Sequence, residues 1–373
     1  MKIAGIDIGG ANIKFALISS PSANYQTVTD VGASTEFDND TKFTDGTDFT
    51  YDIQATGEVG FPFWTDHREL IAKLNQIRKS WGKLDGVAIT MTAELADCFE
   101  NKCQGVHFIV DAVEQAFSET TCRFYTTKGE LVDAKYAKQT WALTAASNWH
   151  ASAWYLFRQH QLEDGFLIDI GSTTCDLIPV RGGLPISPGQ TDLDRLRNGQ
   201  LVYAGIGRTA ICSLINEVDL AGDKVAIARE LFATVADAMI WTNRSPPQPN
   251  SYNSADQRPL TRSACRVRLC RMLCADSDDL LDDQVTAIAD QTYAALKKQI
   301  VVKLQSVVDK HPSITRTFCL AGSGQTLAQS AVEQVCSNQP KPTIVQTPPR
   351  NEIGQAIPAI AVAIKWIAAP EVQ

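Results

Sequence analysis

Apolar residues in this chain of 373 residues form short blocks that end in clusters of Gly, Ser, Thr or Asn. In residues 166–180, two apolar runs flank Gly-Ser-Thr-Thr, a pattern that predicts a strand, a tight turn and a second strand. Other stretches place apolar residues every three to four positions, as in residues 70–81, and predict amphipathic helices. Alternating strands and helices are typical of an α/β fold.

The same patterns continue through the rest of the chain. Helices are predicted over residues 70–81, 107–117, 140–160, 192–201, 224–240, 262–276, 284–308 and 354–368. Strands are predicted as hairpins over residues 3–17 and 166–180, and as shorter pieces within residues 84–89, 121–135 and 317–324. Residues 27–52 mix polar residues with Val, Phe and Tyr, and we interpret them as surface strands or a long insertion.

The two predicted hairpins resemble each other. Both contain the run Ile-Asp-Ile-Gly, so that Asp7 matches Asp169 and Gly9 matches Gly171. A repeat of this kind indicates two structurally related halves, each contributing one hairpin to a shared cleft. A third element, Ala-Gly-Ser-Gly at residues 321–324, ends a predicted strand and offers another turn to a phosphate-bearing ligand.

Turns with this composition can bind phosphate. Glycine lets the backbone approach an anion without a Cβ in the way, and hydroxyls and consecutive N–H groups supply donors. Neighbouring carboxylates suit a hard cation such as Mg²⁺; an ordinary hairpin with a polar tip is the alternative. The candidate phosphate-binding residues are Gly9, Gly10, Asn12, Lys14, Gly171, Ser172, Thr173, Thr174, Arg208, Gly322, Ser323 and Gly324. The candidate metal ligands are Asp7, Asp169 and Asp176.

Further carboxylates follow the strand predicted over residues 84–89. Glu94 and Asp97 lie just after it, at the end of a strand where α/β folds place chemistry. Either carboxylate is a candidate base, and capping of the next helix is the competing interpretation. With the two hairpin aspartates, the candidate catalytic set is Glu94, Asp7 and Asp169.

Other clusters leave two interpretations open. Residues 61–64, Phe-Pro-Phe-Trp, either line a pocket for an aromatic substrate or pack in the core. Four arginines within residues 262–271 either meet an anionic substrate or balance the acidic residues 276–283. Arg208 follows two glycines in a loop and either grips a diphosphate or forms a surface ion pair.

Composition and charge argue against a nucleic-acid-binding or membrane protein. A net charge of −8 and a pI near 5.2 argue against nucleic-acid binding. We expect no signal peptide, because the chain leads directly into a charged strand, and the most apolar stretch, residues 353–369, carries Pro358 and Lys365. The ten cysteines lack CxxC spacing. We therefore expect a cytoplasmic protein with no membrane partner and with reduced, mostly buried thiols.

Two acidic glycine hairpins followed by a late Ala-Gly-Ser-Gly turn resemble the sugar kinase, Hsp70 and actin superfamily. The resemblance implies an α/β protein with two related ribonuclease H-like (actin-like ATPase) domains around a central cleft. It places the first domain at residues 1–163 together with a C-terminal helix at 354–373. The second domain is expected at residues 164–353, with a Pro-rich lid loop at 243–260.

A finer resemblance rests on three segments: ITMTAELADCF at residues 89–99, YAGIGRTAICSL at 203–214 and RSACRVRLCRMLC at 262–274. They resemble the hydantoinase/oxoprolinase-like branch found with tetrahydromethanopterin-linked one-carbon genes, and within it enzymes of methanofuran biosynthesis. The resemblance implies a transferase that joins a furan-methyl diphosphate to the phenol of γ-glutamyltyramine and releases pyrophosphate. It also implies Mg²⁺ as the cofactor, and it leaves open whether the protein forms a homodimer.

Two rival functions remain open at this stage. The first is an ATP-dependent small-molecule kinase, or a hydantoinase/oxoprolinase-type ATP-using enzyme, of the same fold. The second is a nucleotide-switched binding protein, as in the Hsp70 and actin relatives. ATP would be a cofactor only in these cases, because fold resemblance alone does not fix the reaction.

Overall fold

Strands and helices alternate along the chain in a computed structural model that describes residues 1–20, 42–44, 50–347, 354 and 356–368. The strands are β1 (Lys2–Ile8), β2 (Asn12–Ser19), β3 (Lys42–Thr44), β4 (Thr50–Gly60), β5 (Gly86–Met91), β6 (Cys122–Tyr125), β7 (Leu131–Val132), β8 (Gly165–Ile170), β9 (Cys175–Arg181), β10 (Leu184–Pro185), β11 (Leu201–Val202), β12 (Glu217–Leu220), β13 (Asp223–Ala226), β14 (Thr317–Gly322) and β15 (Thr343–Gln346). Most of the segment 27–52, predicted as surface strands or an insertion, lies outside the described residues.

The helices follow the same chain order. They are α1 (Phe63–Asp66), α2 (Leu70–Arg78), α3 (Lys102–Ala116), α4 (Ala134–Gln139), α5 (Trp141–Thr144), α6 (Asn148–Gln159), α7 (Asp192–Asn198), α8 (Val235–Trp241), α9 (Arg262–Arg271), α10 (Asp282–Lys310), α11 (Gln325–Val335) and α12 (Ile357–Ile367). Short 3₁₀ turns occupy His67–Glu69, Ala93–Leu95 and Ile211–Ser213.

The first of two compact units comprises residues 1–164, 180–194 and 348–373. Its sheet has the strand order β3-β4-β2-β1-β5-β6-β7. β1 pairs with β5, and β5 with β6, in parallel, whereas β2 is antiparallel to both of its neighbours. The carboxyl ends of β1, β5 and β6 therefore lie along one edge of this sheet, the edge where α/β proteins bind ligands.

Helix α12 covers this sheet. It is apolar along its length, and its first eight residues are buried, so the hydrophobic effect favours its packing on the strands. Gly5 in β1 makes the close approach geometrically possible, because a Cβ there would collide with the carbonyl oxygen of Ala359. In the described part of the chain, no helix combines the length and apolarity needed to cross a membrane.

The second unit comprises residues 165–179 and 195–347. β8, β14 and β15 are parallel neighbours, and β9 lies on the other side of β8. A separate core cluster packs α8, α9 and α10 together through Leu269, Val285 and Ile288. The small β12–β13 sheet lies beside α10.

Two helix predictions need correction. The helix predicted over residues 224–240 is wrong at its start, because residues 223–226 form β13 and pair with β12 across a turn at Ala221 and Gly222, both with positive φ. Only Val235–Trp241 is helical. The helix predicted over residues 140–160 is divided into α5 and α6, since Ala146 has a φ of 46° and interrupts the helical hydrogen bonding.

Candidate functional site

The two hairpin turns are closed by corresponding backbone hydrogen bonds. In the first unit the N–H of Gly9 donates to the carbonyl of Asn12 over 3.0 Å. In the second unit the N–H of Gly171 donates to the carbonyl of Thr174 over 2.9 Å. The sequence repeat therefore corresponds to a repeated strand–turn–strand structure, and the prediction of two hairpins is confirmed.

The aromatic segment after β4 holds the first turn in place. The N–H groups of Phe61 and Phe63 donate to the carbonyls of Ala11 and Gly10, each over 2.9 Å. Both phenylalanine side chains are buried in the core of the first unit, whereas Trp64 is exposed. This segment therefore fixes the turn through its backbone, and its two phenylalanines pack in the core.

The loop after β11 holds the second turn in a corresponding way. The N–H of Ile206 donates to the carbonyl of Gly171 over 3.0 Å, and those of Gly207 and Arg208 donate to the carbonyl of Ser172 over 2.9 Å. A Cβ on Gly205 would lie 2.6 Å from the Gly171 carbonyl oxygen. Glycine is thus required for this loop to reach the turn.

Each turn keeps consecutive N–H groups available to a ligand. The N–H groups of Gly10 and Ala11, and those of Ser172 and Thr173, donate to no other residue in the parts of the chain described. Neighbouring N–H groups in a turn form a concave site for anions. The Cβ position of Gly10 is open on all sides, so an anion can approach the backbone there.

Asp7 lies beside the first turn on the central strand. Its carboxyl is buried, and Oδ1 has no hydrogen-bond partner among the described residues. Burial raises the pKa of Asp7 to about 6; Lys14, directly opposite on β2, lowers it, and Glu58 raises it. Lys14 forms no ion pair within the described ranges, so its ammonium group remains available to an anionic ligand.

In the second unit the two hairpin aspartates have different surroundings. Asp169 packs against Gly322 of β14, where a Cβ would collide with its Oδ1. Asp176 forms a buried ion pair with Arg195, so the residue proposed as a metal ligand already has a cationic partner in this structure. Gly324 donates its N–H to the carbonyl of Ile170 over 2.9 Å, which brings the turn containing Ser323 beside the second hairpin.

Glu94 lies at the same sheet edge as Asp7. Its 3₁₀ turn follows β5, whose residue Thr90 is the parallel-strand partner of Asp7. Only 1% of Glu94 is exposed, and neither carboxylate oxygen forms a hydrogen bond to another described residue. Burial raises the pKa of Glu94 to about 7, and the backbone N–H of Glu94 itself is the largest opposing influence. Asp97, the other candidate, is exposed.

Helix α3 creates this burial. A Cβ on Gly105 would lie 2.7 Å from the Cα of Glu94, so only glycine allows the helix to pack so closely. Lys102, in the first turn of α3, forms an ion pair with Asp192 over 3.1 Å. The two charges act on Glu94 in opposite directions, Lys102 lowering its pKa and Asp192 raising it.

The basic helix α9 is neutralised within its own unit. Arg268 is fully buried and pairs with Asp237 and Asp256 at 2.7 and 2.9 Å. Arg266 pairs with Asp282, and Arg262 lies over the ring of Trp241. The Pro-rich loop 243–260 is tied to this helix through Asp256 and closed by a bridge between residues 248 and 260. These contacts favour a structural role for the cluster.

Several residues of the site were not predicted. Ser147 Oγ lies 2.9 Å from Thr90 Oγ1 and donates to the carbonyl of Tyr125 over 3.1 Å. The segment before α6 thereby connects the ends of β5 and β6 beside Glu94. No sequence motif marks this segment, since its role depends on a pairing that is distant along the chain.

Metal binding would need ligands from outside the protein. Within the described residues no group of three or more His, Cys, Asp or Glu side chains is arranged to hold a metal ion. The unpaired Oδ1 of Asp7 is nevertheless a suitable hard oxygen ligand. Mg²⁺ commonly takes one or two carboxylates and completes its coordination with water and substrate phosphates, and this site fits that pattern.

Together, the fold and the repeated turns define an α/β protein of two compact units. Residues 85–339 match the hydantoinase/oxoprolinase family, and the chain belongs to that family.

Two curated relatives carry the same name. A protein of Methanocaldococcus jannaschii is 30% identical over 334 residues, 89% of each chain. One of Methanococcus vannielii is 26% identical over 199 residues, covering 53% of this chain and 88% of the relative. Both are named (4-{4-(2-(gamma-L-glutamylamino)ethyl)phenoxymethyl}furan-2-yl)methanamine synthase.

A solved structure supports the fold. Nucleotide-free acetone carboxylase, described under ATP-dependent acetone carboxylation, superposes with a TM-score of 0.56 at 12% identity, covering 97% of this chain and 70% of that one. At this level of identity the likeness concerns the fold alone, and the prediction of an α/β fold class is confirmed.

Proposed function

We propose that this protein forms the aryl ether of a phenoxymethylfuran, joining a furan-methyl diphosphate to the phenol of γ-glutamyltyramine and releasing pyrophosphate in methanofuran biosynthesis. The observation that carries the proposal is the buried carboxylate of Glu94, unpaired and with a raised pKa, at the sheet edge that also holds the first glycine turn. The shared name of the two relatives supplies the chemical class: a phenoxymethyl group is an ether between a phenol oxygen and a methylene carbon.

The leaving diphosphate would be bound by the turns. The N–H groups of Gly10 and Ala11 and the ammonium of Lys14 would supply positive ends to the phosphate oxygens. In the second unit the turn at residues 171–174 and the loop containing Arg208 form the corresponding candidate phosphate site. Donors fixed in advance stabilise negative charge as it develops on the departing group.

Asp7 would hold Mg²⁺ directly or through water, and Asp169 is the corresponding candidate ligand in the second hairpin. When bound, the ion would neutralise charge on the diphosphate. Burial raises the pKa of Asp7, and a bound cation would offset the cost of the buried charge.

Glu94 would take the proton of the acceptor. The phenol has a pKa near 10 when unperturbed, so it needs a base as its oxygen attacks. In the proposed step a bond forms between the phenol oxygen and the furan methylene carbon, and the bond from that carbon to the diphosphate oxygen breaks. The phenol proton passes to Glu94, and the electron pair leaves with pyrophosphate. General base catalysis of this kind contributes about 10²–10⁴-fold to a rate.

The proposal is tested by incubating the protein with both substrates and Mg²⁺ in the absence of ATP. We expect pyrophosphate and the ether product in equal amounts. No pyrophosphate release under these conditions, or turnover only when ATP is added, would favour the kinase-like rival and overturn the proposal.

A further inference from the structure

A cavity of about 280 Å³ lies in the first unit and is lined by neither Glu94 nor the first glycine turn. Its wall combines the turn after β6, the start of α6, residues 184–190 and the end of α12. The lining is partly aromatic, from Trp149 and Trp154, and partly cationic, from Lys128 and Lys365. Thr127, His150, Ser187 and Gln190 add further polar groups to the lining, so the cavity suits a small polar or charged group beside an aromatic wall.

One hydroxyl of the cavity lacks a partner. Thr127 is only 5% exposed, and its Oγ1 forms no hydrogen bond within the described part of the chain. A buried polar group without a partner is costly, and a ligand in the cavity would supply one. Beside it, His150 Nδ1 lies 2.9 Å from the hydroxyl of Tyr125. Burial lowers the pKa of His150 to about 4, so its ring is uncharged near neutral pH.

The charge on the cavity wall is positive. Lys365 Nζ and Arg158 Cζ lie 4.7 and 5.6 Å from the ring centre of Trp154. Burial and the like charge of Arg158 lower the pKa of Lys365, and Glu130 opposes them. Neither Lys128 nor Lys365 forms an ion pair with a described residue. An anionic group on the ligand would therefore relieve the repulsion at this wall.

Two contacts place the cavity at the sheet edge that holds Glu94. The cavity-lining Trp149 follows Ser147, whose Oγ lies 2.9 Å from Thr90 Oγ1 at the end of β5, the strand that leads to Glu94. Gln190, which also lines the cavity, lies two residues before Asp192, the ion-pair partner of Lys102 at the start of α3. Because β5 and β6 are parallel, the cavity-lining turn after β6 lies at the same edge of the sheet as Glu94.

We infer that this cavity binds the carboxylate-bearing end of the acceptor, so that Lys128 and Lys365 hold its γ-glutamyl carboxylate while its phenol is directed to Glu94. The inference rests on the proposed function and names the specificity site of that reaction. The product in the shared name of the two relatives carries this γ-glutamyl group, and tyramine lacks its carboxylate. Charge-assisted hydrogen bonds to carboxylates are among the stronger polar contacts.

The test is calorimetric titration of the 373-residue chain with γ-glutamyltyramine and, separately, with tyramine. Lys128→Ala and Lys365→Ala should each weaken γ-glutamyltyramine binding about tenfold or more, the equivalent of 1.4 kcal/mol, and leave tyramine binding unchanged. Lys298→Ala, on the exposed side of α10, is the matched control and should change neither affinity. Lys128 is exposed, so its variant keeps the test valid if Lys365→Ala impairs folding.

If the wild type and both cavity variants bind γ-glutamyltyramine with equal affinity, the inference is overturned. Displacement of γ-glutamyltyramine by pyrophosphate alone would also overturn it. Turnover separates this failure from failure of the proposed function. If both variants form product with an unchanged KM for γ-glutamyltyramine, the cavity does not bind the acceptor, but the proposed reaction is still supported. If γ-glutamyltyramine binds selectively and no product forms, the binding role of the cavity is supported and the proposed transferase reaction is contradicted.

Discussion

At the scale of single residues, the proposed function depends on Glu94 and Asp7. Both carboxyls are buried beside the same sheet edge, and each has at least one oxygen without a hydrogen bond to another described residue. Burial without compensation raises a carboxyl pKa and destabilises the folded protein. Such an arrangement is retained where the group has a chemical task. Removal of the charge should therefore raise the free energy of unfolding and lower the activity.

Replacement of Glu94 by Gln should lower kcat by about 10²-fold or more, because the phenol would lose its base. Stopped-flow or steady-state release of pyrophosphate measures this effect. Asp97→Asn is the matched control, since Asp97 is exposed and only three residues away; its activity should stay near that of the wild type. A Glu94→Gln enzyme with undiminished kcat would show that another group accepts the proton.

The pH dependence of stability gives a second prediction for Glu94. Its folded-state pKa of about 7 exceeds the ordinary 4.5, so the folded protein binds this proton more tightly than the unfolded chain does. The free energy of unfolding should therefore fall as pH rises through this range, by on the order of 3 kcal/mol for this group. Urea unfolding at about pH 5 and pH 8 measures the fall. An identical fall in Glu94→Gln would contradict the assignment.

The sequence places Glu94 after a strand but does not distinguish it from Asp97. The distinction arises from α3, which packs on the Glu94 backbone through Gly105 and buries that carboxylate alone. Packing between segments that are distant in the chain cannot be read from spacing. The same limit applies to Asp176, whose partner Arg195 is supplied by a later helix.

At the scale of elements, the hairpins were the most predictable feature because apolar runs interrupted by Gly and small polar residues are a local signal. The helix predicted over residues 224–240 failed for a corresponding reason. Its first residues include good helix formers such as Lys224 and Ala226, but the tight turn at Ala221 and Gly222 pairs them with β12 instead. Pairing with a neighbouring strand overrides helix propensity here.

The loop that supports the second hairpin gives an element-scale prediction. Gly205→Ala places a Cβ 2.6–2.7 Å from backbone atoms of the turn, so the two segments must separate. Overpacking of this kind costs about 1–3 kcal/mol, and the displaced turn should also bind pyrophosphate more weakly. Gly60→Ala, where a Cβ meets no atom within 4 Å, is the control. Equal unfolding energies in the two variants would argue against a role for this loop in positioning the turn.

At the scale of the whole molecule, the motifs spread along the sequence were sufficient to predict the α/β fold class and the family. The grouping of residues 180–194 with the first unit was not anticipated. It depends on non-local contacts, such as the ion pair between Asp192 and Lys102. The cavity was missed for the same reason, since its lining comes from four separate segments.

Ligand-dependent melting tests the phosphate site in the intact protein. Pyrophosphate with Mg²⁺ should raise the melting temperature more than ATP or ADP does, because the ligand that binds the folded state more tightly stabilises it more. A ligand that binds only the folded state adds about 2.7 kcal/mol to the free energy of unfolding at a hundred times its Kd. The Asp7→Asn variant should lose the part of the shift that depends on Mg²⁺. A larger shift with ATP than with pyrophosphate would favour a nucleotide-using enzyme.

The central claim is that the phenol oxygen becomes bonded to carbon and not to phosphorus. The most direct measurement follows oxygen-18 placed in the phenol of γ-glutamyltyramine, with a furan-methyl diphosphate, Mg²⁺ and no ATP, by mass spectrometry. The account predicts that all of the label appears in the ether product and none in pyrophosphate. Label found in a phosphorylated phenol, or an absence of ether product, would contradict it.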